Sequence, residues 1–436
     1  MLFYELIQVA LGHRETLSHE PSEREWIELF DVAEKQAVSG MAIAALETLS
    51  QNGQKPPLDL LFEWIGMSEQ IKAENQRLNK CCQKLQIKFA EAGVRTSILK
   101  GQGIAQYYDE PLRELRQPGD IDIFVDCGRE KALSKVRGEG LEVREWDYKH
   151  AHLNIWEDVA VEMHYRVEVM LNLWKNRKLQ KWFREHQDEV FGTSKNTDNS
   201  NISRIGEGLA RRPGGESQFE NKALTNTDCT DNTDNKTNTD CTDNTDNKTN
   251  TDGTDRTDGL VTPTVEFNVF YILLHIYRHF LYEGVGMRQL MDYYFVLKRL
   301  NDNLNLNDNL NSNTDGTDRT DYALDAIKEF GIERFAKGLM WVMQEVFGLE
   351  RKYMICEPLE SEGRFILDEV MEGGNFGHHD QRLTQGGGKW NTVKQVCKHN
   401  WHLLSHYPTD VIWAPVWFVW HKCWKIVKGY RLKLRG

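Results

Sequence analysis

No pair of cysteines in this 436-residue chain falls in a CxxC spacing or at zinc-site intervals from histidines, although eight are present: Cys81, Cys82, Cys127, Cys229, Cys241, Cys356, Cys397 and Cys423. That excludes a zinc-knuckle protein and predicts reduced thiols in a cytoplasmic protein. No stretch reaches the roughly 20 apolar residues of a spanning helix. The N-terminus, MLFYELIQVALGHRETLSHE, has no basic leader, long apolar run and cleavage site, so neither a signal peptide nor a transmembrane segment is expected. Basic excess is missing too: 54 Lys and Arg stand against 66 Asp and Glu, a net charge of -12. Such a balance argues against a surface that holds long nucleic acid by general positive charge.

Part of the acidity belongs to a low-complexity interruption. TDCTDNTDNKTN occurs twice in succession, at 227–238 and 239–250, followed by TDGTDRTD at 251–258, which recurs at 314–321. A polar unit of this kind buries too little apolar surface to offset chain entropy, so disorder is expected. Aspartates at short intervals suit calcium, but the two full units lack the glycine and the large apolar residue of a calcium-binding solenoid.

The remainder reads as α+β. Residues 1–92 carry helix-spaced apolar positions such as Trp26, Leu29, Phe30 and Ala33, and Ile71 to Ala92 reads as one long helix ending at Gly93. Residues 93–192 change to short β-type runs: VRTSIL, DIDIFVD at 120–126, HAHLNIW at 150–156 and VAVEMHY at 159–165, with a helix over Glu130 to Arg137. This predicts a small mixed sheet flanked by helices. Insertions are placed at 193–262 and 301–321, a helical region at 263–300, and a C-terminal helical region with a Trp-rich basic tail at 322–436.

The chemistry concentrates in LKGQGIAQYY at 99–108 and GDIDIFVD at 119–126. Alternate side chains of a strand share a face, so Asp120 and Asp122 point one way and Ile121 and Ile123 the other. Two adjacent carboxylates are costly without a cation between them, and magnesium, a hard ion that takes carboxylate and phosphate oxygens, is the natural one. Glu162, on the polar face of VAVEMHY, is the candidate third acid, since two-metal phosphoryl chemistry wants one close by. Lys100, Gly101, Gln102 and Gly103 mark a strand-to-helix junction whose amides and ammonium suit phosphates.

In this order of motifs the chain resembles the polymerase-beta-type nucleotidyltransferase superfamily, and more closely a bacterial family of uncharacterised nucleotidyltransferases with LKG in place of the commoner Gly-Ser turn. The matching residues are Leu99-Lys100-Gly101, Tyr108, Pro111, Arg116, Asp120-Ile121-Asp122, Val161-Glu162-Met163-His164, His275 and Gly286 to Asp292. The resemblance implies transfer of a nucleoside monophosphate from an NTP, with pyrophosphate release. Asp120, Asp122 and Glu162 are then the catalytic carboxylates and hold two magnesium ions. Arg116, His275 and Arg288 join Lys100, Gly101 and Gln102 around the nucleotide. The acceptor is open: a small metabolite, a saccharide precursor, a protein side chain or an RNA end. The alternative is a catalytically inactive nucleotide-binding or interaction module of the same fold.

Two further features are ambivalent. His275 and His279 share a helix face, as do Arg288 and Asp292, which suits either an inter-helix network with an Arg288–Asp292 pair or the helical wall of the cleft. The tail VIWAPVWFVWHKCWKIVKGYRLKLRG suits aromatic core packing with a solvated basic end, or contact with a membrane surface.

Overall fold

The computed structural model describes residues 1–192, 259–308, 318–374 and 402–428. The tandem repeats and the basic end of the tail lie outside them. Helices α1 (Leu2–Ala10), α2 (Glu23–Lys35), α3 (Ser39–Gln51) and α4 (Leu58–Glu91) come first. The sheet region follows: β1 (Thr96–Ile98), the single turns α5 (Gln102–Ala105) and α6 (Leu112–Leu115), β2 (Ile121–Val125), α7 (Arg129–Gly138), β3 (Glu142–Trp146), β4 (His150–Asn154) and β5 (Val161–His164). Helices α8 (Leu173–Glu185), α9 (Gln187–Val190), α10 (Val265–Tyr282), α11 (Met287–Asp308), α12 (Asp318–Glu329), α13 (Glu333–Phe347), α14 (Glu360–Gly373) and α15 (Pro408–Val427) complete the described chain. The fold is α+β with one mixed sheet, ordered β1-β2-β5-β4-β3, in which only β2 and β5 run parallel.

Two cores share α4. Trp64, in its first half, stacks on Phe30 with ring centroids 5.2 Å apart, inside a helical body that also contains the apolar faces of α1, α3, α10, α11 and α13. The N-terminal helices therefore pack with the C-terminal ones. The second half of α4 offers Leu78, Cys82, Leu85 and Phe89 to the apolar face of the sheet, built from Ile121, Ile123, Val161 and Met163. At 34 residues, about 50 Å long, α4 is the beam that fixes one core against the other.

Several expected boundaries shift. The long helix begins at Leu58 rather than Ile71: the Leu60–Ile65 periodicity runs into it, and the single Gly66 between them does not end it. β3 carries no apolar alternation: it is a largely exposed edge strand, EVREW, and so was invisible to pattern. The segment 259–262 belongs to the body, since Leu260 is buried and the Val261 carbonyl accepts from Ile98 N at 2.9 Å. In the expected second insertion, α11 runs on to Asp308 and α12 begins at Asp318.

The tryptophans of α15 pack inward. Trp417, Trp420 and Trp424 each present an edge to Tyr148, at 5.0 to 5.5 Å between centroids. Ile412, Phe418, Val419 and Ile426, on the same helix, stay exposed. Among the described residues no helix is long and apolar enough to cross a membrane.

One close approach is decisive for the helical body. A Cβ added at Gly40, at the start of α3, would lie 1.8 Å from the Leu115 carbonyl oxygen. Backbone meets backbone there, so no rotamer change relieves it. Gly40→Ala should cost about 2–3 kcal/mol, measured as a lower urea midpoint at unchanged slope.

Candidate active site

The parallel pairing of β2 with β5 sets Asp122 opposite Glu162, and the antiparallel pairing of β4 with β5 sets His152 opposite Glu162 and His150 opposite His164. Alternation sends the even-numbered side chains of all three strands to one face. The sheet thus has an apolar face on α4 and α7 and a polar face turned toward α10 and α11. Asp120 stands one residue before β2, at the same edge.

Asp122 is 1 % exposed, with Lys100 Nζ at 2.9 Å and His164 Nε2 at 2.8 Å from Oδ1. His164 Nε2 also lies 3.2 Å from Glu162 Oε2. Burial opposes ionisation of Asp122, but Lys100 and His164 outweigh it and hold the carboxyl well below its usual range. Burial likewise opposes Glu162, yet its hydrogen bond with His164 brings it to about 2. Burial works against the charged form of His164, and its contacts with Asp122 and Glu162 prevail, raising it. Asp120 moves the other way: the charge of Asp122, then burial, raises it against the pull of Lys100. His150 is lowered to about 4 by burial and by His164, so it is neutral at pH 7.

Above this face lies a cavity of about 420 Å³ reached by Lys100, Asp120, Lys149, Glu162, Arg278 and His279. A narrower recess beside it is lined by Lys100, Gly101, Arg116, Asp120, His275 and Arg288, among others. Of the six residues expected around the nucleotide, five meet in that recess. Gln102 does not: it is buried, and its Nε2 donates to the Asn75 carbonyl at 3.2 Å and to Asn79 Oδ1 at 2.9 Å, away from the cleft. Gly101 has φ +56°, a left-handed conformation that favours glycine, and reverses the chain from β1 into α5.

Arg116 forms the floor rather than a free contact. Its Nε and Nη2 take both carboxylate oxygens of Asp292 at 2.7 and 2.8 Å, and the Tyr108 hydroxyl donates to the same carboxylate at 2.7 Å. The partner of Asp292 is therefore Arg116, where an Arg288–Asp292 pair was one expectation. Arg288 instead donates to the Pro118 carbonyl at 2.9 Å, beside Gly119 and Asp120.

Sequence reasoning missed the group that aims the cations. Glu168, with no exposed surface, has Lys149 Nζ and Arg278 Nε each 3.2 Å away and His275 Nδ1 at 2.8 Å. Arg278 and His279 also pair with Glu283, at 2.8 and 2.7 Å. His275 is thus held from behind by Glu168, and burial, Lys100 and His279 keep it well below its ordinary value. Glu168 sits in the apolar run VEVM, where alternation alone gives no hint of three partners.

Two groups of possible ligand atoms lie within 4.8 Å of one another among the described residues: Asp122 with Glu162 and His164, and His150 with His152 and Glu162. Asp120 belongs to neither, though the charge of Asp122 is the largest influence on it. The three histidines of these groups are nitrogen donors, while the carboxylates Asp122 and Glu162, with Asp120 beside them, supply the oxygens that a hard divalent cation takes, and the raised Asp120 is the group whose ionisation such a charge would favour.

Residues 22–199 match the family described as uncharacterised nucleotidyltransferase. This segment is similar to a nucleotidyltransferase-family domain. The match takes in the second helix of the bundle, the entire sheet, Lys100, Asp120, Asp122 and Glu162. It stops short of α10 and α11, so less of the chain is covered than the motifs suggested, and His275 and Arg288 stand on geometry. No curated protein and no solved structure matches the chain.

Proposed function

We propose that the chain transfers a nucleoside monophosphate from an NTP to a hydroxyl-bearing acceptor on the polar face of the sheet. The observation that carries this reading is the register of Asp122 against Glu162, with Asp120 at the same edge, beneath a cleft walled by Lys100, Lys149, Arg278 and Arg288. In the reaction the acceptor oxygen bonds to the α-phosphorus, the bond to the β-phosphate bridge breaks, pyrophosphate leaves and the acceptor proton is released.

Asp120, Asp122 and Glu162 would hold magnesium. Bound there, magnesium polarises the phosphoryl group and neutralises charge on the attacking and leaving oxygens. The protein's own part is positioning. Asp122 and Glu162 stay ionised at neutral pH. Arg278, fixed by Glu168, and Arg288, fixed by the Pro118 carbonyl, present cations to the triphosphate from the helical wall, and Lys149, also held by Glu168, does so from the turn before β4. Their geometry is set before substrate arrives, so little reorganisation is needed in the transition state.

One observation favours a second reading, an inactive nucleotide-binding module: Lys100 and His164 already give Asp122 two cationic partners. The test is binding and turnover of the four NTPs with and without magnesium, scored as labelled nucleotide transferred in lysate, with Asp120→Ala/Asp122→Ala as control. Magnesium-dependent transfer that vanishes in the control supports the enzyme. Binding indifferent to magnesium, with no transfer, supports the module and overturns the enzyme.

A further inference from the structure

A second cavity, of about 790 Å³, lies apart from the cleft above the carboxylates. It begins where that face continues along β2, at Phe124 and Asp126, the next even-numbered positions after Asp122. At about 3.3 Å per residue, Asp126 stands roughly 13 Å from Asp122. Tyr148 borders both spaces, and α15 closes both, through Trp417 over the carboxylate cleft and through Trp420 and Trp424 over the larger cavity.

Its walls are unevenly charged. Asp126 is matched by Arg95, with Nε at 3.1 Å, and Glu130 pairs with Arg129. That leaves Arg166, Arg177, Arg184 and Lys428 in excess around the cavity. Arg177 and Arg184 lie seven residues apart on α8, two helical turns along one face, and both are exposed. Neither makes a hydrogen bond or ion pair with any described residue.

The other walls are aromatic and held in place. Arg166 lies over the Tyr148 ring at 3.8 Å, and Arg129 over the Trp424 ring at 4.7 Å. Guanidinium groups match phosphate oxygens in pairs, and indole faces take a ring or a sugar.

We propose that this cavity binds the phosphate end of a phosphorylated, ring-bearing acceptor whose hydroxyl reaches the carboxylates about 13 Å away. The acceptor role rests on the transfer reading above; the anion site rests on the cavity alone. The acceptor class narrows accordingly, from any hydroxyl compound to a ring-bearing phosphate ester longer than a single sugar phosphate, whose phosphate and hydroxyl span about that distance.

The test titrates the full-length chain calorimetrically, in EDTA, with p-nitrophenyl phosphate, inorganic phosphate and p-nitrobenzoate. The ring-bearing phosphate should bind saturably and several-fold tighter than the other two. Arg177→Gln/Arg184→Gln should weaken it by about tenfold or more, with the thermal midpoint and magnesium–NTP binding of the wild type retained. p-Nitrophenyl phosphate should also compete with lysate acceptors for labelled nucleotide in the wild type. Absence of saturable binding, equal affinity for the carboxylate, or an affinity unchanged in the double variant overturns the anion site. Saturable binding without competition overturns its acceptor role. If wild-type protein binds no NTP yet the phosphate probe binds and the variant loses it, the transfer reading and the acceptor role fall while the anion site stands.

Discussion

Asp120→Asn should reduce nucleotide transfer by about 10³-fold or more while leaving the thermal midpoint near that of the wild type. Asp120 is partly exposed, lies outside the strand, and its carboxyl is raised by Asp122 and by burial, so its charge contributes little to folding. Asp122→Asn should also abolish transfer, but at a structural cost. Asp122 is buried, and Lys100 and His164 both lean on it; its neutral replacement leaves two buried cations facing no carboxylate at that position. Single-turnover assays with labelled NTP, run beside thermal melts of both variants, separate the two effects. Full transfer by Asp120→Asn would remove it from the catalytic set and leave Asp122, Glu162 and His164 as the cluster.

Glu168→Gln should lower stability by about 3–5 kcal/mol, the second large effect. The carboxylate is fully buried and has three cationic or imidazole partners, so its loss removes the carboxylate facing buried Lys149 and leaves Arg278 with Glu283. Burial opposes its ionisation, but Lys149, Arg278 and His275 hold it well below its ordinary value. The sign follows: a depressed carboxyl contributes stability that is fully present above the unfolded value near 4.3 and is lost as pH falls through the folded one. Urea midpoints from pH 7 down to pH 3 should therefore drop less steeply in Glu168→Gln than in the wild type. Parallel curves would show that Glu168 is not the group that titrates.

The carboxylate pair was legible because two rules coincide in it. Strand alternation placed Asp120 and Asp122 on one side, and the acid in VAVEMHY had to emerge on a polar face if Val161 and Met163 were core. Pairing register then needed only one match to bring Asp122 to Glu162. The cations of the opposite wall were not legible in this way. Glu168 and His275 are 107 residues apart across the repeat segment, and nothing local in either run marks the contact. The partners of Arg116 and Gln102 were not legible for the same reason: a motif shows which side chains sit near a turn, while their direction is set by Asp292 and Asn79 on helices outside the motif. β3 escaped because an exposed edge strand has no apolar face to alternate.

The points where the chain leaves the body at Gly192 and rejoins it at 259–262 lie side by side. A Cβ on Gly192 would come within 3.0 Å of the Thr262 carbonyl oxygen, and Thr264 N donates to Glu189 O at 2.9 Å. The 66 residues from 193 to 258 thus start and finish at one spot on the surface, already stitched together by α9 and the lead into α10. The length between those stitches can change while both anchors keep their places. Each further copy of the unit repeated at 227–250 would lengthen the segment without moving either end of it.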